Sequence, residues 1–168
     1  MTPAPSYLRN SETVVKAFGC WPRFHDAPVI ALRYDRGGQG AVEFTLHGWM
    51  MTPEVDERGY FKLTKHHLVR FAFQRILDAD LDRFTAVSNV LFGLRFSRAE
   101  DVQASGIFSV VLDSAMGGDR CGSFLARTGE VLEVLPCDPD GQPAECAPPN
   151  GGSATPPPIP TVSEGRHR

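Results

Sequence analysis

The chain has 168 residues, 42% of them hydrophobic, and its 17 basic and 20 acidic residues give a net charge of −3. This composition is typical of one globular domain. Because basic residues are not in excess, we expect no nucleic-acid partner. No uncharged apolar run reaches the ~18 residues that cross a bilayer, and the N-terminus lacks the basic and apolar segments of a signal peptide. We therefore expect a cytoplasmic protein without membrane contact.

A short helix is predicted near the N-terminus. Asn10 or Ser11 is a suitable N-cap, and Gly19 is a suitable C-cap. The apolar face of this helix consists of Val14, Val15 and Phe18. Because a proline disfavours the helical conformation in the residue before it, the helix has to end ahead of Trp21-Pro22.

After Pro28 the hydrophobic pattern has a period of two, which indicates β-strands. Strands are predicted in VIALRYD, AVEFTLHGWM, HLVRFAFQRI, NVLFGLRFSR and GIFSVVLDS, and two short ones in CGSFLARTGEVLEVL around Thr128-Gly129. The polar segment MTPEVDERGYFKLTKH predicts a long connection with a short strand at residues 60–63. About seven strands at hairpin spacing, with the short N-terminal helix, predict an α+β, mainly β fold built on a curled antiparallel sheet.

The alternation also assigns side chains to faces. Phe44 and Leu46 share a face in one strand, and Phe71 and Phe73 share a face in the next long one. In NVLFGLRFSR, one face holds Val90, Phe92, Leu94 and Phe96. The opposite face holds Leu91, Gly93 and Arg95.

The C-terminal part of the chain differs in composition from the rest. After VLEVLP the sequence is dominated by proline, glycine and small polar residues. Such a segment buries too little apolar surface to offset the entropy of ordering it. The sequence therefore predicts one globular domain over residues 1–136 and a disordered Pro/Gly-rich tail over residues 137–168.

The stretch WPRFHDA holds His25 and Asp26 side by side. A catalytic His–Asp pair needs tertiary convergence and a nucleophile, and the sequence has neither a G-x-S-x-G elbow nor a cysteine in a recognisable setting. A structural corner is favoured, with Asp26 capping backbone N–H groups and with Trp21 and Phe24 packing beneath the sheet. A hydrolase or metal-dependent enzyme that uses His25 and Asp26 is the alternative.

The spacing of the cysteines, histidines and glycines does not match known metal or cofactor motifs. The four cysteines, Cys20, Cys121, Cys137 and Cys146, contain no C-x-x-C pair. His66 and His67 point to opposite faces if they lie in a strand, although either could still meet His25 or His47 in three dimensions. The glycine motifs GGQG and AMGGDR match neither a P-loop nor a dinucleotide fingerprint. We expect no metal and no cofactor.

Two features are candidates for contact with a partner. In QRILDADLDRF an extended chain places Asp78, Asp80 and Asp82 on one face, where they can meet a basic protein surface. A solvated strand edge and a hard-cation site are the other interpretations of this acidic row. Trp49, at the end of a strand before a polar loop, is the candidate apolar anchor, with core packing as its alternative.

The opening FGCWPRFHDAPVIALRYDR resembles that of the immunity protein 50 family, found beside polymorphic toxins in bacteria. EVDERGYFKLTKHHLVRFAFQRI, NVLFGLRF and the closing GSFLARTGEVLEVLP are similar to later parts of that family. The resemblance covers about residues 8–136. The residues that match the family signature are Trp21, Phe24, His25 and Asp26. The resemblance implies that their role is to maintain the fold.

The resemblance implies an immunity protein, which neutralises a toxin by binding it and catalyses no reaction. The expected partner is a cognate toxin domain encoded next to this gene. Besides the His25–Asp26 hydrolase, a non-catalytic ligand-binding β domain stays open as an alternative. A large apolar cavity in the sheet would favour that last interpretation.

Overall fold

The computed structural model describes residues 3–81, 89–98, 106–115 and 120–144. These residues contain one helix and seven strands. In chain order they are β1 (Leu8–Arg9), α1 (Ser11–Phe18), β2 (Val29–Asp35), β3 (Ala41–Val55), β4 (Phe61–Asp80), β5 (Leu91–Arg98), β6 (Phe108–Ser114) and β7 (Arg120–Pro136). The predicted fold class, mainly β with a short N-terminal helix, is confirmed.

All seven strands belong to one sheet, in which six follow the order β2-β3-β4-β7-β6-β5 with antiparallel neighbours. The two-residue β1 pairs parallel with β7, where Leu8 lies opposite Gly129. The sheet curls until its two outer strands approach each other. Pro28, ahead of β2, bridges Val90, and the Leu91 N–H donates to the Ala27 carbonyl at 2.9 Å.

The connection predicted between β3 and β4 is wrong. The two strands form one long hairpin, closed by a tight turn in which the Asp56 side chain accepts hydrogen bonds from the N–H groups of Arg58 and Tyr60, both at 2.9 Å. The segment reads as a loop because its polar side chains are solvated, although its backbone groups are paired across the hairpin.

The predicted break in the last strand is also absent, since β7 runs without interruption through Thr128 and Gly129. A Cβ atom at Gly129 would lie 2.8 Å from the Phe73 ring and 2.9 Å from the Phe108 ring. The glycine lets two aromatic rings pack directly against the backbone.

The core lies on the concave face of the sheet. Its aromatic centre contains Phe44, Phe71 and Phe73, all fully buried, with ring centroids 5.2 to 6.4 Å apart. The faces that alternation predicted in β3 and β4 are therefore confirmed, since Leu46 is fully buried as well. In β5 the predicted alternation is wrong, because a bulge between Leu91 and Gly93 puts Leu91 in the core with Leu94 and leaves Phe92 58% exposed.

Helix α1 packs its buried residues Val14 and Phe18 into this core. Gly19 ends it in the left-handed conformation, as predicted, and the Lys65 ammonium donates a hydrogen bond to the Phe18 carbonyl at 2.8 Å. Asn10 occupies the N-cap position, but its side chain donates to the Val131 carbonyl of β7 and does not cap the helix. No helix in the described ranges is long and apolar enough to cross a membrane.

β7 ends at Pro136, and the described chain continues from there to residue 144. The Cys137 N–H donates to the His66 carbonyl at 3.0 Å. The Asp138 side chain accepts hydrogen bonds from the Asp140 and Gln142 N–H groups, at 2.9 and 2.8 Å. Residues 138–142 thus form a turn beside His66 of β4, which we call the C-terminal turn. The remainder of the predicted tail, residues 145–168, lies outside the described residues.

Candidate functional site

Trp21 and Phe24, the two aromatic residues of the WPRFHDA stretch, are buried. The Phe24 ring meets those of Trp21, Phe71 and Phe18 edge-on, with centroids 6.0, 5.9 and 6.3 Å apart. Gly48 makes room for them, because a Cβ atom there would lie 3.2 Å from both Phe18 and Phe24. Both residues therefore pack beneath the sheet, where the sequence placed them.

His25 and Asp26 form a pair on the surface of the same corner. His25 Nδ1 lies 2.7 Å from Asp26 Oδ2, and the two side chains are 48% and 53% exposed. Adjacent residues of an extended chain cannot meet in this way; here Phe24 and Asp26 adopt left-handed conformations, with φ of 54° and 60°, in a turn. Within the described part of the chain, the Asp26 carboxylate bonds to His25 and not to the backbone groups that it was predicted to cap.

A cleft of about 710 Å³, the corner cleft, opens beside this pair. Its walls carry apolar and charged side chains, among them Tyr7, Trp21, Arg23, His25, Phe92 and Arg95. The His25 ring packs on Phe92 with centroids 4.8 Å apart. No hydroxyl or thiol of a described residue hydrogen-bonds to the His25 ring, so the pair lacks the nucleophile contact of a catalytic triad.

A second histidine pair lies on the convex face of the sheet. His47 Nε2 of β3 and His66 Nδ1 of β4 are 3.1 Å apart, and Trp49 packs on both rings with centroids 5.1 and 5.9 Å away. The C-terminal turn covers them, since a Cβ atom at Gly141 would lie 3.1 Å from His47 Nδ1. His67 instead packs on Phe18, on the concave side. His47 and His66 therefore converge, away from His67.

This environment changes the protonation of His47. Burial lowers its pKa, and the neighbouring His66 lowers it further. The carboxylates of Asp138 and Asp140, in the C-terminal turn, act in the opposite direction without overcoming the first two effects. Across the described ranges, no group of three histidine, cysteine or acidic side chains has the geometry of a metal site.

Two of the three aspartates in the predicted acidic row, Asp78 and Asp80, belong to the described residues. Asp78 and Asp80 are exposed near the end of β4, paired in register with Leu125 and Ser123 of β7. Ala79, between them, packs against the core. The two carboxylates therefore share the solvent face, as predicted, whereas Asp82 lies outside the described residues.

The β3–β4 hairpin projects beyond the rest of the sheet. β2 pairs with β3 only as far as Leu46, and β7 pairs with β4 only from His67 onward. Residues 50–64 therefore form a two-stranded segment without strand neighbours, which we call the arm. Met50 packs against the core. The other large apolar side chains of the arm are 40 to 70% exposed, namely those of Met51, Val55, Tyr60, Phe61 and Leu63.

The sequence analysis predicted a contact residue next to the arm, Trp49, but none of the exposed residues within it. Trp49 was the predicted apolar anchor, but it is half-buried against the two histidines. The available signal was the Asp-Glu-Arg-Gly turn between Val55 and the Tyr60-Phe61 pair, since a polar turn flanked by apolar residues is typical of a hairpin.

No family model matches this chain, and no curated protein or solved structure is significantly similar to it. The likeness of the WPRFHDA region to the immunity protein 50 family therefore stays a prediction.

Proposed function

We propose that this protein is a cytoplasmic bacterial immunity protein that neutralises a cognate toxin domain, encoded next to its gene, by binding and occluding it. It acts without catalysis, metal or cofactor. The observation that carries this proposal is the arm, a projecting hairpin with five exposed large apolar side chains. The resemblance of the opening motif to immunity proteins gives the kind of partner.

The arm has the physical character of a surface that a partner covers. A two-stranded hairpin is only marginally stable by itself in water, since it lacks a third strand or a helix to bury its apolar face. Few side-chain hydrogen bonds reinforce the arm. Thr52 and Thr64 each donate to a carbonyl of the facing strand, at 3.2 and 3.4 Å, and Lys62 pairs with Glu54 at 3.0 Å. In the turn, Asp56 accepts two backbone N–H groups at 2.9 Å. Contact with a toxin domain would bury Tyr60 and Phe61, and large aromatic residues commonly dominate binding energy.

Other parts of the surface can supply the polar component of such an interface. A stable complex buries about 1,600 Å² in total and uses about 20 to 30 residues on each side, which is more than residues 50–64 supply. The exposed carboxylates of Asp78 and Asp80 would attract a basic toxin surface and accelerate its association. The corner residues Trp21 and Phe24 contribute through the fold and not through contact, because they are buried.

The test is a growth assay in a sensitive host. The C-terminal toxin domain encoded next to the gene is induced together with this protein or with one of its variants. We expect wild-type protein to restore growth and the double variant Tyr60→Ser/Phe61→Ser to lose protection. Ile30→Ser, which changes an equally exposed apolar residue of β2, should protect like wild type.

The same assay addresses the hydrolase alternative. Folded His25→Ala protein should protect fully, because His25 has no part in binding under this proposal. Loss of protection by His25→Ala, with the arm variants still protective, would favour catalysis at the corner cleft. Toxicity that well-expressed wild-type protein leaves unchanged would contradict the proposed pairing.

A ligand-binding β domain is the second candidate, and the corner cleft is the observation that favours it. Its aromatic wall of Tyr7, Trp21 and Phe92 and its volume of about 710 Å³ fit a small organic molecule. Saturation of this cleft by a small molecule, with no effect on toxin binding, would favour that function over immunity.

A further inference from the structure

A second cleft, of about 720 Å³, lies between the β2–β3 turn, β4 and β7. Three arginines line it: Arg36 from the turn, Arg75 from β4 and Arg127 from β7. An adjoining cleft of about 420 Å³ shares Arg75 and Arg127 and is also lined by Arg9, which pairs with Glu130 at 2.9 Å. We call the larger of the two the arginine cleft.

No carboxylate of the described residues neutralises the positive charge of this cleft. Arg33, Arg70 and Arg95 each have a carboxylate within 4.0 Å. By contrast, no described carboxylate lines the arginine cleft, and none pairs with its three guanidinium groups. Because the whole chain carries a net charge of −3, this concentration of positive charge is local.

The backbone around the cleft is held in a special geometry. Arg75 has a φ of 56°, a left-handed conformation that is uncommon for residues other than glycine. Next to it, a bulge interrupts the pairing of β4 with β7 between Ile76 and Asp78. The β2–β3 turn packs closely on this bulge, since a Cβ atom at Gly40 would lie 3.1 Å from Ile76 Cβ.

The arginines themselves are partly pre-oriented. The Arg36 guanidinium lies over the Tyr34 ring, 5.4 Å from its centroid, which restricts the side chain before any ligand arrives. Tyr34 and Leu77 add an apolar wall beside the charged groups. The cleft is therefore lined by three arginines and by a surface on which an organic group can pack.

We propose that the arginine cleft binds a diphosphate group. Guanidinium groups bind phosphate oxygens through two parallel hydrogen bonds, and a diphosphate offers enough oxygens for all three. A single carboxylate would neutralise only one of the three charges, whereas a diphosphate carries two to three negative charges. The volume of about 720 Å³ suits a diphosphate alone or one joined to an organic group, as in a nucleoside diphosphate.

Isothermal titration calorimetry of the full chain at low ionic strength tests this, with pyrophosphate, ADP and inorganic phosphate as separate probes. We expect pyrophosphate or ADP to bind at least about tenfold more tightly than phosphate, because a lone phosphate reaches fewer guanidinium groups. ADP binding more tightly than pyrophosphate would identify the ligand as a nucleotide. Equal affinities for ADP and pyrophosphate would show that the cleft recognises the diphosphate group alone.

Arg75→Gln and Arg127→Gln should each weaken diphosphate binding by about tenfold or more. Arg70→Gln is the matched control, since Arg70 lies in the same strand but pairs with Glu43 outside the cleft, and it should leave the affinity unchanged. Arg127→Lys, which keeps the charge and removes the planar fork, covers the case in which Arg127→Gln does not fold.

Absence of binding by the wild-type chain, or equal affinity in the two cleft variants and wild type, would overturn the proposal. An equal loss in the Arg70→Gln control would also overturn it, because the effect would then be one of net charge. A single-stranded oligonucleotide that binds while both diphosphate probes fail would overturn it too. The titrations use no toxin, so their outcome is independent of the immunity function.

Discussion

Gly129 shows how one residue can mislead a sequence prediction. Thr128-Gly129 has the character of a turn, but it lies in the middle of a 17-residue strand. The rings of Phe73 and Phe108 occupy the space of its missing side chain. Phe73 lies more than 50 residues away in the sequence, so no local pattern around Gly129 signals this contact. The glycine serves close packing and not chain reversal.

We therefore expect Gly129→Ala to lower the free energy of unfolding by about 1 to 3 kcal/mol through overpacking. Gly93→Ala is the matched control in another strand, because a Cβ atom there meets nothing closer than the Arg23 carbonyl at 3.8 Å. Urea denaturation of both variants measures the difference. If Gly129→Ala and wild type have the same urea midpoint, the two aromatic rings move aside without loss of folding free energy, which would contradict the prediction.

At the scale of elements, the C-terminal turn and the β3–β4 hairpin meet at His47. The turn places the Asp138 and Asp140 carboxylates near this histidine and covers it with Gly141. His66, in the neighbouring strand, completes the contact at 3.1 Å. Since burial and His66 lower the pKa of His47, the folded protein favours its neutral form.

This arrangement predicts that stability falls with acidification. An unfolded chain protonates His47 near its ordinary pKa of about 6.5, while the folded chain protonates it only at lower pH. The unfolded state therefore binds more protons in that window, and the free energy of unfolding decreases as the pH falls from about 6.5 to the folded pKa. Denaturation curves between pH 8 and pH 5 measure this.

Two variants sharpen the pH experiment. His47→Gln should flatten the decrease, whereas Asp140→Asn should steepen it, because a carboxylate that favours protonated His47 is removed. His67→Gln is the control, since that ring packs on Phe18 on the other face of β4. A decrease of the same size in the His47→Gln protein and the wild type would assign the pH dependence to other groups.

For the molecule as a whole, the charges are segregated although the net charge is small. The arginine cleft, with Arg75 and Arg127, gathers positive charge near β4. A few residues further along the same strand, Asp78 and Asp80 present two carboxylates to solvent. A partner with a basic surface would be drawn to the second region and repelled by the first, which would orient its approach.

Replacing the acidic pair with Asp78→Asn/Asp80→Asn should therefore slow association with the proposed toxin partner and weaken the dependence of that association on salt. The dissociation rate should change less, because the carboxylates are exposed and act mainly before contact. Stopped-flow kinetics at several ionic strengths measure both rates. Glu12→Gln/Glu133→Gln, the same charge change at exposed sites elsewhere, is the control. Unchanged association kinetics would remove Asp78 and Asp80 from the interface.

Features that depend on neighbouring residues could be predicted from the sequence. Alternation alone identified the buried faces that include Phe44 and Phe71, because a strand turns successive side chains to opposite sides. Gly19 marked the end of the helix for a similarly local reason, its left-handed conformation.

Features that depend on register were decided only by the tertiary structure. A bulge in β5 moved Phe92 to the surface, and a bulge in β4 follows Arg75 beside the arginine cleft; both are irregularities of strand pairing. The meeting of His47 with His66 requires the pairing of two strands across a 19-residue separation. The isolation of the arm depends on where β2 and β7 end beside it, which only the assembled sheet determines.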